Sequence, residues 1–168
     1  MTADPPIGSP EPVSTSHQLD GFDCGTPSLD EWLKRRARIN EIEGGSRTYV
    51  AAAGNKVAGY YAIATGSVLR NVVSSRIARN MPDPIPLILI GRLAVDCKWQ
   101  GNGLGRSLLI DALKRCHAAG EIVGVRAIMV HAISAAAQTF YEHYGFVDAP
   151  GIPRTLLLEM KNVKRLAG

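Results

Sequence analysis

Residues 85–96, IPLILIGRLAVD, are apolar at nearly every position. A strand with one wet face alternates. This run does not, so it reads as a central strand covered on both sides. A short stretch then leads into WQGNGLGRSLL at 99–109, where three glycines at every second position open an apolar helix pattern. Leu104, Leu108, Leu109, Ala112 and Cys116 fall on one face of that helix, and Gly120 stops it. A buried strand, a glycine loop and a helix in that order require a layered α/β structure. They also bring the free amides of a helix N-terminus to the end of a strand.

The rest of the chain fits around this unit. Ser28-Leu-Asp-Glu31 has the form of a capping box and predicts a helix running to about Glu43 and stopping at Gly44-Gly45. Leu29, Trp32, Leu33, Ala37 and Ile39 share one face of it, Lys34, Arg35 and Arg38 the opposite one, while Arg36 and Asn40 fall inside the apolar stripe. Gly54-Asn55 lies between two strand-like runs and predicts a hairpin. Residues 67–86 resist assignment: they carry Arg70, Arg76 and Arg79 and end in prolines. VRAIMVHAI reads as a buried strand, SAAAQTFYEHYGF as a short helix ending at Gly145, and Arg154 to Met160 as a last strand. The order implies a mixed sheet with helices packed on its faces.

The 168 residues suffice for one domain, set at 11–168 behind a flexible proline-rich tail at 1–10, with a first edge strand near Glu11. The net charge of +4 favours an anionic partner. The odd set Cys24, Cys97 and Cys116, with no CxxC pair, speaks against a disulfide framework and a zinc site; reduced thiols in a cytoplasmic protein are the simplest reading. No apolar stretch has the length of a membrane span, so no membrane partner is expected.

The glycine loop nearly fits two phosphate-binding patterns and fails both. A P-loop would need glycine at Gln100 and lysine at Arg106, and a dinucleotide fingerprint would need glycine at Arg106. The pattern Q-x-x-G-x-G does fit, as Gln100, Gly101, Asn102, Gly103, Leu104 and Gly105. Glycines let the backbone approach an anion, the helix dipole favours negative charge, and Arg106 and Ser107 in the first turn add donors. The same spacing also serves as a plain connecting turn, so the loop alone leaves both readings open.

LAVDCKWQGNGLG before a helix, with FYEHYGF some thirty-five residues later, resembles the GNAT N-acetyltransferases. The blocks LDGFDCGTPSLDEWL, SRTYVAA, VAGYYAIA and IGRLAVD narrow the resemblance to the acetyltransferase toxins of bacterial type II toxin–antitoxin modules. The resemblance implies a mixed, mostly antiparallel central sheet with flanking helices. Acetyl-CoA is then the donor, its pyrophosphate on residues 100–107 and its acetyl-pantetheine arm along Leu93, Ala94 and Val95. Tyr141 is the acid for the leaving thiolate, and no metal takes part. The acceptor is the α-amine of an aminoacyl-tRNA, glycyl-tRNA being a common choice among relatives, and modification blocks translation. The partners are a ribbon–helix–helix antitoxin and a second copy of the chain in a homodimer.

No residue stands out as a base; Asp96 and Glu142 are candidates by position alone. An α-amine near pKa 7.7–8.0 needs little help to become neutral, and esterification lowers it further, which suits a charged tRNA better than a lysine. Phosphate contacts are expected first from Arg36, Arg79 and Arg92, then from Arg35, Arg38 and Arg76. Arg92 is notable as a charge inside the apolar run. Two alternatives stand beside this reading: a small-molecule amine or protein N-terminus as acceptor, and a non-catalytic acetyl-CoA- or nucleotide-binding module. His17, His117, His131 and His143 are scattered, and Cys97 has no identifiable catalytic partner.

Overall fold

The computed structural model describes residues 3–167. Its strands are β1 (Glu11–Pro12), β2 (Arg47–Ala53), β3 (Lys56–Val68), β4 (Ile85–Val95), β5 (Ala127–His131), β6 (Val147–Asp148) and β7 (Thr155–Glu159). Its helices are α1 (Pro27–Arg35), α2 (Ala37–Glu43), α3 (Ser75–Ala78), α4 (Leu104–Gly120), α5 (Ala135–His143) and α6 (Met160–Ala167). The strands form one seven-stranded sheet in the order β1-β2-β3-β4-β5-β7-β6. β4 and β5 run parallel, whereas β1/β2, β2/β3, β5/β7 and β6/β7 are antiparallel. This is the mixed, mostly antiparallel sheet expected. By packing, the chain divides into two compact units: residues up to Ile63 with Arg92–Asp111, and Ala64–Gly91 with the residues from Ala112 onward.

In the first unit the inner face of α1 meets the hairpin. Leu29, Leu33 and Ala37 pack with Val50, Val57, Tyr60 and Ala94, and each fully buried leucine contributes roughly 1.5–3 kcal/mol. The hairpin turn falls where expected: Ala53 pairs with Lys56, and Gly54 takes φ 64°, a conformation that favours glycine.

The first helix departs from expectation. The single helix over 28–43 is two helices joined at Arg36, whose φ of −117° ends α1 and opens α2. The capping box does not form. Pro27, with its fixed φ, takes the first turn, Thr26 becomes the N-cap, and the Asp30 carboxylate accepts the Cys24 N–H instead (2.9 Å). Past the joint the face assignment fails: Ile39 is 49% exposed, and Arg36 lies exposed at the joint rather than inside an apolar stripe. The end of α2 is as predicted, with Gly44 left-handed at φ 81°.

Residues 4–10, expected as a tail, lie along β2. Ile7 bridges Ala53, the Gly8 N–H donates to Ala52 O (3.0 Å), and Asp4 pairs with Lys56 and Lys98. The outer edge of β2 has backbone groups to satisfy, and this segment satisfies them.

In the second unit, Leu87–Ile90 of β4 pair with Ala127–Val130 of β5, and β7 pairs along the whole of β5. The stretch that resisted assignment forms a 3₁₀ turn at Arg70–Val72 and the short α3, capped by Ser74. It is held by the Arg70 guanidinium donating to the carbonyls of Ala78 and Met81, contacts with no local sequence signature. The last predicted strand ends at Glu159, where α6 begins, anchored by the buried Val163.

Candidate active site

The glycine loop is held from behind and open in front. Asp96 closes the turn out of β4: one carboxylate oxygen accepts the Lys98 N–H and the other the Asp23 N–H, both at 2.9 Å. Those bonds make Asp96 a structural brace rather than a base. Gln100 braces too, its side-chain amide donating to Val95 O (2.8 Å) and Cys24 O (3.1 Å). Gly101 and Gly103 are left-handed at φ 83° and 82°, with no atom within 4 Å of where a Cβ would stand. α4 starts at Leu104, so its first-turn amides have no intrahelical acceptor and reach the surface among exposed residues. Arg106 is exposed and free of partners among the described residues, while the Ser107 hydroxyl donates back to Gly103 O (3.2 Å). Beside the loop runs a groove of about 350 Å³ between residues 7–10 and Trp99, Asn102, Leu104 and Ser107.

Close packing on β3 fixes the start of α4. A Cβ on Gly59 would stand 2.8 Å from Leu108 Cδ1, 3.1 Å from Ala94 O and 3.3 Å from Leu104 Cδ2. Gly59→Val is therefore expected to lower stability by about 2–3 kcal/mol, seen as a lower urea midpoint at unchanged slope. A parent-like midpoint would show that α4 can ride up without cost.

β4 continues beyond its last pair with β5, Ile90–Val130. The Asp96 N–H donates to Ala58 O on β3 (2.8 Å), and Ala94 O faces Gly59 on the same side. By the alternation of a strand, the amides of Leu93 and Val95 point to the opposite edge. Both side chains are half-buried and Ala94 is buried. This edge offers N–H donors in a row, as a bound acyl chain requires.

Tyr141 belongs to the second unit, on α5, whose N-cap Ser134 accepts the Ala137 N–H (3.1 Å). Its ring is 7% exposed and meets Phe140 and Phe146 edge-on at 5.3 and 5.5 Å. Burial pushes the phenol up to about 12. Its hydroxyl makes no hydrogen bond among the described residues. Tyr144 packs on Phe140, and His131 is exposed and bonded to Thr155 Oγ1 (2.9 Å). No group of three potential metal ligands occurs among the described residues.

The expected RNA-facing arginines differ in availability. Arg36 and Arg79 are exposed and unpaired among the described residues. Arg35 pairs with Glu31 (2.6 Å), and Arg76 pairs with Glu159 (2.9 Å). Arg38 is committed inside the fold, its guanidinium donating to Ser14 O and His17 O. Arg92 is half-buried against the ring of Trp32, 4.4 Å from its centroid. Sequence reasoning passed over Trp32 as a plain core residue. The contact spans sixty positions of chain and leaves no local signal.

Residues 24–154 match the acetyltransferase (GNAT) domain family. The chain is 46% identical over 160 residues to a tRNA-acetylating toxin of Mycobacterium tuberculosis, covering 95% of this chain and 96% of that protein. Among solved structures, AtaT complexed with acetyl-methionyl-tRNAfMet matches with a TM-score of 0.87 at 26% identity, over 95% of this chain and 99% of that one. A Tyr→Phe mutant of AtaT bound to the C-terminus of the antitoxin AtaR and acetyl-CoA matches with a TM-score of 0.80 at 26% identity, over 94% and 96%. No helix among the described residues is long and apolar enough to cross a membrane.

Proposed function

The chain belongs to the GNAT acetyltransferase family, and on that premise we propose that it transfers the acetyl group of acetyl-CoA to the α-amine of an aminoacyl-tRNA, as the toxin of a type II toxin–antitoxin module. One observation carries the acceptor: 46% identity, along nearly the whole of both chains, to a tRNA-acetylating toxin. It works in the cytoplasm, where charged tRNA is found, and a ribbon–helix–helix antitoxin holds it inactive. A homodimer completes the proposed assembly.

The pyrophosphate of acetyl-CoA sits against the amides of residues 101–106 and the Arg106 guanidinium. Gln100 and Ser107, already bonded within the chain, shape the loop rather than grip the ligand. The pantetheine arm follows the free edge of β4. A backbone N–H of Leu93 or Val95 polarises the thioester carbonyl and stabilises the oxyanion. The neutral amine attacks the carbonyl carbon, the N–C bond forms, and the C–S bond breaks as the tetrahedral intermediate collapses. Tyr141 donates its proton to the departing sulfur. With the phenol near 12 and a thiol near 8.5, full transfer is uphill by about 4–5 kcal/mol, so it is coupled to proton loss from the newly cationic nitrogen. Arg36, Arg79 and Arg92 meet the phosphate backbone. Arg38, bonded to two backbone carbonyls, has the least freedom for that role, while the exposed Arg35 and Arg76 would exchange ion pairs for phosphate.

The pH dependence has a definite sign. A phenol raised to about 12 stays protonated throughout the accessible range. The rate should climb as the acceptor amine loses its proton below about pH 8 and then stay level to pH 9.5. A descending limb between pH 8 and 9.5 in single-turnover rates would show that the rate depends on an acid titrating well below a phenol raised to about 12. The acceptor itself is tested by incubating the protein with labelled acetyl-CoA and bulk charged tRNA, with deacylated tRNA and free amines as controls. Label confined to charged tRNA is expected; label only on free amines overturns the reading.

A further inference from the structure

Arg92 is a cation held in place without an anion. Its guanidinium is half-buried, and burial draws its pKa below the usual value. No carboxylate or carbonyl pairs with it among the described residues; its contact is the face of Trp32. Trp32 in turn lies nearly parallel to Tyr60, with ring centroids 6.0 Å apart and planes 9° apart. Tyr60 is fully buried and donates its hydroxyl to Leu29 O (2.7 Å). Trp32 thus links Arg92 to a ring fixed in the core, and the guanidinium also lies within electrostatic reach of the Tyr60 phenol. A partly dehydrated guanidinium is costly until an anion completes it. With its central carbon over the ring and its N–H groups bonded to nothing among the described residues, the guanidinium keeps donors for a ligand, and a phosphodiester suits such donors.

We propose that Trp32 is a positioning residue that holds Arg92 as the seat for the phosphodiester on the 5′ side of the terminal adenosine, the phosphate nearest the reacting amine. The inference rests on the aminoacyl-tRNA reading above. β4 advances about 3.3 Å per residue, which puts the Arg92 backbone about 7 Å from Ala94 on the strand that runs along the acetyl-pantetheine arm. In the acceptor, the amine, ester, ribose and 5′ phosphate follow one another along one short covalent chain. A phosphate several ångströms from the amine is what this acceptor presents there, whereas a simple amine presents none. Arg36 and Arg79 are exposed and unbraced, which suits looser contact with the tRNA body.

The test compares two small acceptors, aminoacyl-adenosine with and without a 5′ phosphate, alongside aminoacyl-tRNA. The parent is expected to prefer the phosphorylated form by about tenfold in kcat/KM, the effect of one charge-assisted hydrogen-bonded pair. Arg92→Gln and Trp32→Leu should bring that preference close to one and raise KM for aminoacyl-tRNA about tenfold, with a smaller change in kcat. Trp32→Phe keeps a stacking face and should retain most of the preference. The double variant should lose no more than Arg92→Gln alone. Thermal unfolding of each variant separates loss of preference from loss of fold. A preference that persists in Arg92→Gln, or is absent from the parent, overturns the proposal. So does equal damage by Trp32→Leu and Trp32→Phe. A parent that fails to acetylate charged tRNA sinks the acceptor reading and this inference together; a parent that acetylates it with no preference for the phosphate sinks this inference alone.

Discussion

Tyr141→Phe is expected to slow acetyl transfer by about a hundred- to a thousandfold while leaving the fold and the KM for acetyl-CoA near those of the parent. The expectation follows from how the ring is held. Phe140 and Phe146 contact its edges and faces, and a phenylalanine ring fills the same space. The hydroxyl has no bond among the described residues, so its removal strands no partner there, and the cost in stability should stay below about 1 kcal/mol. A tyrosine whose ring is packed and whose hydroxyl is left without a bond among the described residues is available to donate to a ligand. Single-turnover transfer to charged tRNA at saturating acetyl-CoA measures the effect. A rate within threefold of the parent would reduce Tyr141 to a packing residue.

The second large effect belongs to Gly103→Val, which should weaken acetyl-CoA binding by about a hundredfold or more in calorimetric titration. Two costs combine. At φ 82° an L-residue pays about 1–2 kcal/mol, and a β-branched one more. The side chain would also enter the open space before the first-turn amides of α4, where the pyrophosphate is proposed to sit. Gly103→Ala carries the first cost and less of the second and should lose about tenfold. Gly21→Ala adds a methyl at an exposed, unstrained glycine with nothing within 4 Å and serves as the control. Parent-like affinity in Gly103→Val would return the loop to a mere connection between strand and helix.

The parts legible in sequence were those with a local cause. The unbroken apolar run of β4, the turn at Gly54, the stop at Gly44 and the start of α4 after Gly103 each follow from a few adjacent residues. The break at Arg36 was hidden because the residues around it are good helix formers, and only the joint's own φ of −117° reveals it. The arginines divide in the same way. Composition counts them alike, but Arg38 is bound to two carbonyls some twenty positions away, and Arg92 is stacked on a ring sixty positions away. Both roles exist only once the chain has folded. Gln100 was legible as part of the loop motif but not in its job, since its bonds reach back to Val95 and Cys24 instead of forward to a ligand.

The segment ahead of α1 has a bearing on self-association. A sheet with an open outer strand offers a row of unpaired amides on which another chain can add. Here β2 is shielded on that side by the Ile7 bridge, the Gly8 bond and the two-residue β1. The shield itself makes a poor template. Pro5, Pro6, Pro10 and Pro12 have no N–H to donate, and its paired stretches are too short to seed a ladder. At its β1 edge the sheet thus ends on a stretch that is a poor template for a foreign strand. Strands as apolar as β4 are an aggregation hazard while a chain is being made, and a proline-studded border removes one edge of their sheet from the templates on which another chain could add.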